Sequence, residues 1–206
     1  MPDTLIILRS GATDYEVQGR IRGTIDLPLA PAGIAEAEEA AGQLQPLRPV
    51  AVYTAAGRCA VETGRIVAAA VALRPRVVKD LTNLDHGLWQ GLLVADIRDR
   101  QPRLYRQWQD NPWAIAPPEG ELLEQACERV EAALERVVRR HASGAVALVV
   151  PAPLDRIVRW VAAGESMGDL WQVDEPRPLV HVLPLTGQWD TGSRRSTRPR
   201  GRTLRI

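Results

Sequence analysis

The chain has 206 residues, of which 45% are hydrophobic and 25% charged, with a formal net charge of +1; this is enough apolar material for one domain with its own core. Two cysteines (Cys59, Cys127) and three histidines (His86, His141, His181) without paired spacing exclude a disulfide or zinc scaffold, and neither a metal nor a cofactor is expected. Asp3 and Arg9 interrupt the N-terminal apolar stretch, so no signal peptide or membrane span is predicted and the expected location is cytoplasmic.

In chain order, residues 4–8 form a short apolar run that predicts a strand, and residues 31–44, rich in Ala and Glu, predict a helix. A second strand is expected at 50–53. The helix expected at 59–73 has Val61, Ile66, Val67, Ala70 and Val71 on one stripe. A short strand at 76–78 follows. Residues 101–118, with Trp108, Trp113 and four prolines (Pro102, Pro112, Pro117, Pro118), read as an inserted lid-like segment. The longest predicted helix covers 121–141, and strands are expected at 146–150 and 179–183. Strands alternating with helices of this length predict a three-layer α/β/α fold with a mostly parallel central sheet in one domain, residues 1–192. Ligands of such sheets sit beyond the carboxyl ends of the strands. Residues after Leu8, Tyr53 and Val150 are therefore expected at one crevice.

Residues 193–206 carry six arginines (Arg194, Arg195, Arg198, Arg200, Arg202, Arg205) and no acid, so residues 1–192 are net negative. The tail has the composition of a solvated, disordered extension. Its alternative use is nonspecific contact with nucleic acid or an acidic partner.

Five blocks carry a family resemblance. They are Leu8-Arg9-Ser10-Gly11, continuing through Thr13, Asp14, Gly19, Arg20, Gly23, Asp26 and Pro28; Tyr53-Thr54-Ala55-Ala56-Gly57-Arg58-Cys59; Leu81-Thr82-Asn83-Leu84-Asp85-His86-Gly87-Leu88-Trp89-Gln90-Gly91; Pro118-Glu119-Gly120-Glu121 with Arg129; and Val149-Val150-Pro151-Ala152-Pro153. Order and spacing resemble the histidine phosphatase superfamily, the phosphoglycerate mutase-like fold. The resemblance implies a phosphatase or mutase site of two histidines, two arginines and one acid. One histidine would attack phosphorus, the cations would hold the equatorial oxygens, and the acid would protonate the leaving oxygen.

Here those positions hold other groups. Ser10 stands for the nucleophile, Cys59 for the second arginine, Asn83 for the acid and Ala152 for the second histidine, with Arg9 alone retained. Arg58 lies one residue early, about 100° around a helix, and is not expected in the site. Loss of a nucleophile alone costs on the order of 10⁶ in rate. The sequence therefore predicts no catalytic residue and a pseudophosphatase that binds a small molecule or a protein partner without phosphoryl transfer.

Arg9, Ser10, Arg20, Cys59, Asn83, His86 and Ala152 are the candidate ligand-binding positions. Asp26 or Glu121 is the expected ion partner of Arg9. Backbone N–H groups near Gly11 and the helix start after Gly57 are candidate anion donors. An alternative is an altered phosphomonoesterase using Asp85 or His86 with Ser10; a second is a scaffold or nucleic-acid-associated protein acting through the tail. Cys59 is expected as a small buried filler, and His141 and His181 as packing or surface residues without visible partners.

Overall fold

A computed structural model describes residues 1–113, 115–167, 170 and 178–185. The expected tail at 193–206 and the tryptophans at 171 and 189 lie outside the described residues.

Among the described residues five strands form one sheet: β1 (Thr4–Arg9), β2 (Ala51–Thr54), β3 (Pro75–Val77), β4 (Ala145–Val150) and β5 (Val180–Pro184), in the order β3-β2-β4-β1-β5. The first four run parallel, and β5 joins β1 antiparallel. The central strands are buried on both faces, which is why β1 and β4 read as unbroken apolar runs rather than alternating ones. Register aligns Leu5 with Val146 and Arg9 with Val150, so β1 and β4 end together.

The main helices are α2 (Pro31–Leu44), α3 (Arg58–Ala70), α6 (Leu123–Val138) and α7 (Leu154–Ala163), with short helices α1 (Asp14–Val17), α4 (Val94–Arg100) and α5 (Pro102–Asp110). The parallel connections through α2 and α3 move one way across the sheet and that through α6 moves back. Right-handed crossovers therefore place them on opposite faces. In agreement, α2 packs on α3, and α6 on α7. Three layers result, as the alternation of elements predicts.

Helix α3 stops short of the expected residue 73 because Ala72 adopts a left-handed backbone (φ 55°). Helix α6 starts after the expected residue 121 because Leu122 is extended at the cap, and it ends before the expected residue 141, with residues 139–140 in a turn. Within the stretch expected as a lid, α5 buries Trp108, and Trp113 meets Trp160 with ring centroids 4.8 Å apart. At the head of the fold, the loop after β1 lies directly on the start of α2. A Cβ on Gly11 would fall 2.0 Å from the Gly33 carbonyl oxygen, so only glycine fits this crossing.

Candidate functional site

At the carboxyl ends of β1 and β4 the structure opens a cavity of about 320 Å³, near the lower limit for small-molecule sites. Its charged and ionisable wall consists of Arg9, Glu16, Arg20, Arg22, Glu36 and His86; Ala12, Val17, Ile21, Val94, Ala152 and Leu170 are among its apolar residues. Of the seven candidate binding positions, Arg9, Ser10, Arg20, His86 and Ala152 line the cavity.

Cys59 lies under Ser10, whose hydroxyl reaches its sulfur at 3.6 Å. Burial pushes the Cys59 thiol up, and the Arg22 charge and the Ser10 hydrogen bond only partly oppose this. The residue is therefore a neutral filler at neutral pH, as expected. Asn83 is buried and ties two walls together: Nδ2 donates to the Gly23 carbonyl at 2.9 Å and to the Ala152 carbonyl at 3.0 Å. Its amide has no proton to give a leaving group. Its Oδ1 is buried without a partner among the described residues.

The backbone donors near Ser10 are occupied by the protein itself. Ser10 N donates to the Val150 carbonyl at 2.8 Å, Gly11 N to Thr63 Oγ1 at 3.0 Å and Ala12 N to Glu36 Oε2 at 2.9 Å. At the start of α3, Arg58 N donates to Asp26 Oδ1 at 2.7 Å. The seat expected near Gly11 is thus engaged internally, and the one expected after Gly57 is partly engaged, through Arg58 N. Neither expected ion partner meets Arg9: Asp26 caps α3, and Glu121 faces Arg129 at 2.6 Å. Arg9 instead pairs loosely with Glu36, at 3.6 Å, and its Nε is buried with no partner among the described residues. Arg20 donates to the Gly91 carbonyl at 2.7 Å and to Gln18 at 2.9 Å. Arg58 points to solvent beside Glu62.

Of the two fallback residues, Asp85 is not part of the cavity wall; its Oδ1 accepts from Gly87 N at 2.8 Å. His86 is buried against Trp108, with centroids 6.4 Å apart. Burial lowers its pKa to about 4; the Leu84 backbone and Asp85 oppose the shift and Arg22 adds to it. The imidazole is neutral at neutral pH and supplies neither a proton nor a positive charge. The other two histidines have partners that the sequence did not show: His141 Nε2 meets Tyr53 Oη at 2.9 Å, and His181 Nε2 meets Glu165 at 2.9 Å.

The residues that sequence reasoning missed are Arg22, Glu16 and Glu36. The Arg22 side chain is 5% exposed and its Nε donates to Glu16 Oε1 at 2.6 Å. Burial alone would lower the guanidinium, but the charges of Cys59 (when ionised), Glu16 and Asp26 hold it raised. With the thiol protonated, Glu16 is the main compensating charge at neutral pH. The only signal in the sequence was a second arginine in Gly19-Arg20-Ile21-Arg22-Gly23. Among the described residues no group of three or more His, Cys, Asp or Glu is placed to hold a metal ion. No described helix is long and apolar enough to cross a membrane.

The fold and the crevice define a three-layer α/β protein of the phosphoglycerate mutase-like kind. The family described as histidine phosphatase superfamily (branch 1) matches residues 5–188, and the chain belongs to it. Phosphoserine phosphatase 1 of Hydrogenobacter thermophilus is 27% identical over 169 residues, covering 81% of this chain and 79% of that protein. Bifunctional protein Rv2228c of Mycobacterium tuberculosis is 32% identical over 175 residues, covering 84% of this chain but 47% of that protein. The chain thus spans about half the length of that relative. Among solved structures, a mycobacterial glucosyl-3-phosphoglycerate phosphatase complexed with VO3 superposes with a TM-score of 0.74 at 25% identity, covering 82% of this chain and 86% of that one. Bacillus stearothermophilus YhfR gives 0.73 at 26%, covering 87% and 89%.

Proposed function

We propose that this chain is a histidine-phosphatase-like protein without phosphoryl transfer, which acts by binding a small ligand in the crevice at the ends of β1 and β4. The observation that carries this reading is the state of the crevice floor. Ser10 stands on the neutral thiol of Cys59, and the N–H groups of Ser10, Gly11, Ala12 and Arg58 are bonded within the protein. A transferring phosphoryl group needs several unengaged donors and cations around three oxygens. This floor offers few. The buried Cys59 thiol, in no disulfide, fits a reducing compartment such as the cytoplasm.

The test is hydrolysis of aryl phosphate, phosphoglycerate, sugar phosphate and nucleotide phosphate by the purified chain, beside Arg9→Ala. The expected result is no turnover above the variant. Turnover that disappears in Arg9→Ala overturns the reading.

A second reading is an altered phosphomonoesterase using His86. It is supported by the neutral imidazole in the cavity wall and by relatives named as phosphatases. It predicts turnover that is lost in His86→Gln, whereas the binding reading predicts no turnover to lose.

A further inference from the structure

We propose that the crevice takes a monocarboxylate with an apolar body, held chiefly by Arg22 and Arg9, and discriminates against phosphate dianions. This deepens the binding reading and rests on it.

Charge comes first. Three arginines (Arg9, Arg20, Arg22) and two glutamates (Glu16, Glu36) are among the residues that line the cavity, and His86 beside them is neutral. One net positive charge remains. A monoanion brings that balance to zero. A dianion leaves one negative charge uncompensated, and the cost of desolvating an ion rises with the square of its charge while its attraction to a fixed cation rises only linearly.

The donors also suit a carboxylate. Arg22 engages Glu16 through Nε, which leaves its two terminal nitrogens without an acceptor among the described residues. Such a fork matches the two oxygens of a planar carboxylate. Arg9 adds its buried, unpartnered Nε. The protein's own glutamates already show the pairing, since Glu16 and Glu36 sit on Arg22 and Arg9 in the same cavity. The N–H groups of Ser10, Gly11 and Ala12, which would serve the extra oxygen of a phosphate, are engaged elsewhere.

The remaining wall is apolar. Val17, Ile21, Val94, Ala152 and Leu170 line the cavity, and Ser10 and Ala152 are small side chains that leave space at its floor. A ring or branched aliphatic body fills that space, where a compact polyol phosphate would bury hydroxyls without partners.

The experiment compares phenylacetate with phenyl phosphate by calorimetry on the full chain, above the second phosphate pKa of about 6. Phenyl phosphate hydrolysis is followed in parallel. The expected result is phenylacetate at least about tenfold tighter, which is about 1.4 kcal/mol. Arg22→Gln weakens phenylacetate about tenfold or more. Glu16→Gln keeps one of the two acceptor oxygens that Arg22 and Thr13 use, adds one net positive charge and closes or reverses the gap between the probes; it keeps the test readable should Arg22→Gln fail to fold.

Phenyl phosphate binding as tightly or more tightly overturns the proposal, as does the absence of binding by either probe. Tight phenyl phosphate binding without hydrolysis removes the carboxylate inference and leaves the no-turnover reading standing. Hydrolysis removes both.

Discussion

Arg129 and Arg22 are both paired with glutamates at 2.6 Å, and they are arranged for different ends. Arg129 on α6 uses Nε and Nη2 on both oxygens of Glu121, and its remaining capacity on the carbonyls of Thr82 and Asn83. It clamps the 80–83 loop to α6 and holds Asn83 in place. Arg22 is more deeply buried, yet engages Glu16 through Nε alone and faces a cavity. A saturated arginine is a fastener, and an unsaturated one beside an open space is a candidate ligand site. Burial alone does not separate the two; the acceptors around each guanidinium do.

Stability measurements can break this comparison. Arg129→Met strands Glu121, a carboxylate only 15% exposed, and is expected to cost about 3–5 kcal/mol, as removal of one partner of a buried pair does. Arg22→Met strands Glu16, which is 29% exposed and keeps its Thr13 contacts, so water relieves part of the penalty. An expected cost of about 1–2 kcal/mol follows. Urea unfolding of both variants decides: equal losses would make Arg22 a second fastener.

The next effect in size belongs to His86, which lines the cavity beside Arg22 and packs on Trp108. Unfolded, its imidazole takes up a proton near pH 6.5; folded, burial delays this to about 4. The unfolded state therefore binds more protons between those values. The stability from keeping His86 neutral is complete above pH 6.5 and is lost as pH falls toward 4, by about 3 kcal/mol. His86→Leu removes this slope. As pH falls from 6.5 to 4 the stability difference should shift by about 3 kcal/mol in favour of the variant, and parallel curves would mean that His86 is hydrated.

Much of the fold could be read from the sequence because its signals are local. The apolar runs of β1 and β4, the stripe of α6 and the Pro31 start of α2 are each visible within a few residues. The gathering of Arg9, Ser10, His86 and Ala152 at one crevice follows from parallel strands ending together. What was illegible is pairing across distance. Arg9 finds Glu36 rather than Asp26 or Glu121, because Gly11 and Gly33 let α2 press onto the β1 loop. Arg22 becomes a buried wall residue only because the chain turns back at Gly19 to bring Glu16 beside it. His141, just past α6, meets Tyr53 of β2. None of these leaves a spacing pattern.

The smallest effect tests whether self-capping helps to exclude phosphate. Asp26 Oδ1 accepts from Arg58 N at the first turn of α3, and Asp26→Ala should cost about 1 kcal/mol, as loss of a helix cap does. The same change frees an N–H and removes a negative charge that acts on the buried Arg22. If internal capping is part of the exclusion, inorganic phosphate should stabilise Asp26→Ala more than the parent in a thermal titration, and by a larger factor than phenylacetate, which gains only from the lost charge beside Arg22. An unchanged phosphate response would assign the exclusion to Glu16 and Glu36 alone, because those two carboxylates would then set the charge balance of the cavity without help from the α3 cap.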